Sequence, residues 1–345
     1  MQVGKTGLVA LFTVILVTGA ITAYNFYTIS QLNQKIDELT VNLNTIFGIE
    51  VFKDAYDRTI LVAPQGIEVP EILTFGRTIV RVPPQRIASF FPSMTETLFA
   101  IGLGDQVVAV TKWCEWPQEM VDKKNAGNLT VFESIIDPEV EKVVTANPDL
   151  ILVLSTLMRP EGVAKLEDLG FTVVGIDYGE SLDDIYNAIT LIGKLTGAED
   201  SAEELINELQ QNITRVSNAV ANLPKPKVFW MSWHDPLMSA GGPSFINTLI
   251  QTAGGVNIFE SVNIAWPFVS SEEVLAQDPD AIIFSEGHPG ISNVDDLLSF
   301  FPAWSEIEAV EEGRVFAVPD SFIHPGPRTA EAIEILAELI HQIEI

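Results

Sequence analysis

Two glutamates occupy matched places in a repeated segment. The run Glu-Lys-Val-Val-Thr-Ala-Asn-Pro-Asp-Leu-Ile from Glu141 to Ile151 returns as Glu-Glu-Val-Leu-Ala-Gln-Asp-Pro-Asp-Ala-Ile from Glu272 to Ile282. Each copy sets an acid eight residues ahead of the Asp of a Pro-Asp pair and runs on into an apolar strand. Carboxylates so placed suit two kinds of chemistry. Asp137-Pro138 and Ser270-Ser271 are helix starts, where a first-turn acid is favoured by the dipole and by capping. A chain that builds one helix-to-strand unit twice is also made of two like lobes, and one acid on each would offer a partner a pair of ionic contacts.

Other reactive residues are sparse. The single Cys114 excludes an intramolecular disulfide and a Cys-based zinc or iron-sulfur site. Paired with a distant His it could be a nucleophile, but a small packed thiol is the plainer reading. His234, His288, His324 and His341 all lie in the second half, whereas a metal receptor needs three or four His or carboxylate ligands converging from both lobes. No metal and no intrinsic cofactor are therefore expected. Gly-x-Ser-x-Gly, the phosphate-binding P-loop and His-Glu-x-x-His are absent, and Gly102-Leu103-Gly104 follows a helix, so it reads as a helix stop. A surface-anchored α/β enzyme is a remote alternative. A surface adhesin is another, and it would need no paired acids.

These residues need scaffolding, and 345 residues at 47% hydrophobic content can bury more than one core, so two domains are expected. The formal net charge of -28 argues against nucleic acid, whose phosphates require clustered Lys and Arg. After Lys5, Leu8 to Ile29 is largely apolar and uncharged, long enough at about 1.5 Å per residue to span a bilayer. Residues 1–30 thus read as a membrane anchor or as a signal peptide ending near Ala20 or Ala23, and in either case the bulk of the chain is exported. The sequons at Asn128 and Asn212 permit glycosylation outside the cell.

Residues 31–49, with Leu32, Ile36, Leu39, Leu43 and Ile46 on one stripe, read as a helical spacer. Residues 50–178 read as an N-terminal α/β lobe, opening with a hairpin layer to residue 84. Its strands are expected at 86–91, 107–111, 150–154 and 172–176, with helices at 93–101 and 139–146. Residues 225–345 repeat the scheme, with strands at 228–233, 281–285 and 314–318 and helices at 244–253, 271–277 and from 329 onward. Short apolar runs alternating with helices imply parallel βαβ units, hence an α/β fold of two Rossmann-like lobes with central parallel sheets. Between them, residues 179–224 form a helical linker whose second stripe, Leu205, Leu209, Ile213, Val216 and Val220, marks a long interlobe helix. Such a helix restricts two lobes to small rocking motions; the alternative is an ordinary packed helix of one larger domain.

Several motifs in one order resemble a known family. Arg86-Ile87-Ala88-Ser89, Pro92-Ser93-Met94-Thr95-Glu96, Gly102-Leu103-Gly104-Asp105 and Trp113-Cys114-Glu115-Trp116-Pro117 open the likeness. It continues through Asn147-Pro148-Asp149-Leu150, Asp235-Pro236-Leu237-Met238, Trp266-Pro267-Phe268-Val269-Ser270-Ser271-Glu272 and Pro325-Gly326-Pro327-Arg328. This pattern, over about residues 70 to 345, resembles class III periplasmic binding proteins, the receptors that hand cobalamin, ferric siderophores or haem to ABC importers. The Trp113 to Pro117 turn is most similar to the cobalamin-binding branch.

The resemblance implies a substrate-binding protein and no enzyme, with the ligand in a cleft between the lobes. It implies cobalamin or a related corrinoid as ligand, with a ferric siderophore or haem as the alternative. Trp113 falls on a stacking tyrosine, Trp266 on a cleft tryptophan and Asp320 on a cleft aspartate, while His324 replaces a family arginine. Trp233 and His234 end a strand and are expected to face the same cleft. Flat aromatic faces suit a macrocycle because they bury area while losing little side-chain entropy. Glu141 and Glu272 match the two docking glutamates, so the implied partners are a permease dimer with its ATPase subunits, reached at the outer face of the membrane that the N-terminal helix anchors.

Overall fold

The computed structural model describes residues 48–345 except 70–73 and 75, so the expected anchor at 1–30 and nearly all of the 31–49 spacer lie outside the described residues. Among the described residues no helix is long and apolar enough to cross a membrane. The chain divides into two compact units, one comprising the residues up to Asp177 with Ile192–Glu199, the other Tyr178–Leu191 with Asp200–Ile345.

The first unit is built on five parallel strands: β4 (Ile87–Ser89), β5 (Val107–Thr111), β6 (Thr130–Phe132), β7 (Leu150–Leu154) and β8 (Val173–Ile176), in spatial order β6-β5-β4-β7-β8. Leu150 to Val153 are wholly buried, as expected for a strand covered on both faces. Pro92 opens helix α1 (Pro92–Ala100), where its missing N–H and fixed φ suit the first turn. Phe90 stacks on Phe132 at 4.2 Å between centroids. Cys114 lies buried with its Sγ 3.2 Å from the Thr95 hydroxyl and 3.3 Å from that of Thr111, and burial pushes the thiol pKa up. It is a packed thiol.

The 50–84 segment departs from a plain hairpin layer. Strands β1 (Glu50–Lys53) and β2 (Thr59–Pro64) form an antiparallel hairpin, but β3 (Thr78–Val82) joins β2 in parallel. The turn is held by Asp54, whose carboxylate accepts from the backbone N–H groups of Tyr56, Arg58 and Gly175 and from the Arg58 guanidinium.

The second unit carries β9 (Lys227–His234), β10 (Leu237–Ser239), β12 (Ala281–Ser285) and β13 (Val315–Val318) in the order β10-β9-β12-β13, with the two-residue β11 (Val256–Asn257) also on β9. Only β10 runs antiparallel. Trp304 anchors this core, stacked on Phe301 at 4.1 Å and edge-on to Phe229 at 5.5 Å. The 179–224 segment holds two helices, α5 (Leu182–Thr196) and α6 (Glu199–Val220), and the division between units runs through α5.

The repeated segment has one local design in both units. Helix α3 (Val140–Ala146) stops at Asn147 with φ 44°, and α8 (Ser271–Gln277) stops at Asp278 with φ 43°. Asn and Asp tolerate this left-handed cap, and the Pro after each cannot continue a helix. The Asp after each Pro then fixes the start of the neighbouring strand. Asp149 accepts from the N–H of Gln85 at 2.7 Å and of Arg86 at 3.0 Å, and donates its own N–H to Arg86 O at 2.8 Å. Asp280 accepts from the N–H of Lys227 and donates to Lys227 O at 2.8 Å.

Candidate functional site

In the second unit the strand order reverses between β9 and β12, and in open α/β sheets the crevice beyond the carboxyl ends of the strands at such a switch point is where ligands bind. An open recess lies there. Trp233 reaches it from the end of β9, Ser285 and His288 from the end of β12 and the turn after it, and Asp320 from just beyond β13. Trp266 closes one side from a loop tied to the β10 edge by Ser239 N–H to Pro267 O at 3.0 Å, Gly241 N–H to Ala265 O at 2.9 Å and Val269 N–H to Leu237 O at 3.0 Å. Gly241 permits that approach, since a Cβ there would come within 2.0 Å of Ile264 O.

Trp233 and Trp266 are 39% and 41% exposed, so both still offer a ring face. The Trp233 indole N–H donates to Asp235 O at 2.9 Å. His234 packs its ring 5.6 Å from that of Trp233, 4.5 Å from Phe300 and 5.1 Å from His288. Ser285 Oγ donates to Asp320 Oδ1 at 2.6 Å. Burial pushes the His288 pKa below the usual imidazole range, helped by the nearby charge of His234. His324 ends the short turn Asp320–Ile323, and burial lowers its pKa against the opposing pull of Asp320. Among the described residues, Ser232 Oγ, His234 Nδ1 and His288 Nε2 are buried and lack a hydrogen-bond partner.

Of the residues expected from sequence to bind ligand, Trp233, Trp266 and Asp320 line this recess together. His234 adjoins it through ring contacts, while His324 lies four residues past Asp320 and is not part of the lining. Trp113 belongs to the first unit, 45% exposed after β5, with Lys112 Nζ 4.7 Å from its ring centroid. Sequence reasoning missed Ser285 and His288, although both sit at or just past the carboxyl end of a buried strand, and that placement alone could have pointed to them.

Glu141 and Glu272 stand exposed in the first turns of α3 and α8. The capping expected of Glu272 is performed by its neighbour: Ser270 and Glu273 form the capping box, with Ser270 N–H donating to Glu273 Oε2 at 2.7 Å. In the first unit Glu139 does the local bonding, accepting from Glu133 N–H and pairing with Lys142 at 2.9 Å. Among the described residues the side chains of Glu141 and Glu272 have no ion pair or hydrogen bond.

A family described as periplasmic binding protein matches residues 87–322. An uncharacterized ABC transporter substrate-binding lipoprotein of Bacillus subtilis (strain 168) is 30% identical over 274 residues, covering 76% of this chain and 82% of its own. A vitamin B12-binding protein of Vibrio cholerae serotype O1 is 28% identical over 254 residues, covering 73% and 87%. The crystal structure of a possible iron-binding, periplasmic solute-binding protein from Staphylococcus epidermidis superposes with a TM-score of 0.67 at 29% identity, covering 75% of this chain and 99% of that one.

Proposed function

We propose that this chain, which belongs to the periplasmic binding protein family and is thus a non-enzymatic substrate-binding protein of an ABC importer, captures cobalamin or a related corrinoid. The recess at the β9/β12 switch point carries this reading: two half-exposed tryptophans face a small polar set, which suits a broad flat ligand with a hydrogen-bonding rim. The vitamin B12-binding relative supports the corrinoid. The likeness to a possible iron-binding protein favours a ferric siderophore or haem as the second reading. Trp113, Trp233, Trp266, His234, Asp320 and His324 act as ligand-binding residues. Glu141 and Glu272, relieved of any local bond, meet basic residues of the permease. The apolar stretch Leu8 to Ile29 tethers the protein to the outer face of the membrane. Titration of the exported part with cobalamin and with cobinamide, monitored by tryptophan quenching and calorimetry, tests the ligand. One-to-one binding is expected. No heat and no quenching up to about millimolar ligand, where binding is worth only about 4 kcal/mol, would end the corrinoid reading.

A further inference from the structure

The polar side of the β9/β12 recess sets two acceptors, His288 and Asp320, beside the Ser232 hydroxyl and the indole N–H groups of the lining tryptophans. His288 is 8% exposed, and its Nδ1 lies 3.3 Å from Pro289 O. A carbonyl oxygen only accepts, so Nδ1 carries the proton, and the neutral ring then leaves Nε2 as a lone pair. That Nε2 is buried and has no partner among the described residues. Burial and the proximity of His234 hold the ring neutral, which preserves the lone pair at physiological pH. The Ser285 hydroxyl proton is committed to Asp320 Oδ1, so Ser285 has only lone pairs left to offer, and Asp320 Oδ2 has no partner among the described residues. Among the described lining residues Asp320 alone is charged; none is Lys or Arg.

We infer that this recess selects ligands by hydrogen-bond polarity, with His288 and Asp320 accepting from N–H donors on the ligand rim, so that it takes a metal macrocycle edged with amides and rejects one edged with carboxylates. The inference rests on the reading of the recess as the ligand site. The buried His288 Nε2 would find no donor on a carboxylate, and the exposed Asp320 would add like-charge repulsion in a chain already at net charge -28. His288 Nε2 is buried, so the His288 turn must shift slightly to meet a ligand. Gly287 leaves room for that, since a Cβ there would meet nothing nearer than 3.9 Å.

The test compares two ligands with one ring and one metal: dicyanocobinamide, whose rim carries amides, and dicyanocobyrinic acid, in which those amides are carboxylates. Wild-type protein is expected to bind the acid at least about 100-fold more weakly. Asp320→Asn is expected to narrow that gap by about tenfold or more, and His288→Phe, which keeps a flat ring but no acceptor, to weaken cobinamide by about 5- to 100-fold while leaving the acid unchanged. Equal affinities for the two ligands, or a gap that Asp320→Asn leaves untouched, overturn the inference. If neither corrinoid binds, the corrinoid reading fails separately, and a cationic ferric hydroxamate set against an anionic ferric catecholate decides the polarity rule: preference for the cation upholds it, and preference for the anion overturns it.

Discussion

Replacing Glu272 and Glu273 one at a time separates docking from folding within a single helical turn. Glu273→Ala removes the carboxylate that accepts the Ser270 N–H and breaks the capping box, which is worth about 1 kcal/mol, with up to about 1 kcal/mol more from the lost first-turn charge. At about 2–4 °C per kcal/mol for a domain of this size, the second unit is expected to melt about 2–8 °C lower. Glu272→Ala loses only the interaction of an exposed carboxylate with the helix dipole, so the melt shifts by no more than about 4 °C. Association with the detergent-solubilised permease is expected to behave the other way round. Glu272→Arg, alone and with Glu141→Arg, weakens it by about 2–5 kcal/mol through loss of a charge that becomes buried at the interface, whereas Glu273→Ala leaves it intact. Differential scanning calorimetry and immobilised-permease binding read the two effects independently. If Glu272→Arg left association at its original strength, or if Glu272→Ala lowered the melt as far as Glu273→Ala, the division of labour argued from the capping box would be wrong.

Trp113→Ala should weaken corrinoid binding by about 1–3 kcal/mol in the quenching titration with no change in the melt, because the ring is half-exposed and removing it opens no core cavity. Asp54→Ala should lower the stability of the first unit by about 3 kcal/mol in urea, since it deprives the part-buried Arg58 and the Gly175 N–H of their shared acceptor; a change under about 1 kcal/mol would show that Glu167 suffices for Arg58. His288 and His324 are both held below the usual imidazole pKa in the folded chain, so the unfolded chain binds more protons as the pH falls through about 6.5. Stability of the second unit should therefore be full above that pH and decline steadily beneath it, and a melt that is flat or rises from pH 7 down to 5 would contradict the burial of these rings.

Three strands, β5, β7 and β12, coincide with their expected spans because a strand buried on both faces is a short apolar run closed by polar or turn residues, a pattern that local sequence displays fully. The same holds for α8, announced by Ser270 and closed at Asp278. The helices Gln118–Asn125 and Val294–Phe300 went unread for the complementary reason. Each buries a single residue, Met120 and Leu297 respectively, too little to produce a periodic stripe. Strands β10 and β11, of three and two residues, depend on pairing with segments distant or turned back in the chain, β9 for both and the 265–269 loop for β10, which no local pattern encodes.

The residues that line the recess divide along the same line. Trp233 could be placed because it ends a strand that is itself readable, and Trp266 because its surrounding motif resembles a family cleft. His288 could not, since within Gly-His-Pro-Gly it looks like any turn residue. Its place in the recess depends on β12 lying beside β9, which brings that turn against the ring of His234. The paired acids were easier than any of these because the chain presents them twice. In each copy the Pro-Asp aspartate starts the central strand and a neighbouring glutamate, Glu139 or Glu273, makes the local bonds of the helix start. With those bonds made by other residues, the exposed glutamate at the same place in both units is left only its interaction with the helix dipole as a folding task, and the charge reversals at Glu141 and Glu272 test the external partner proposed for it.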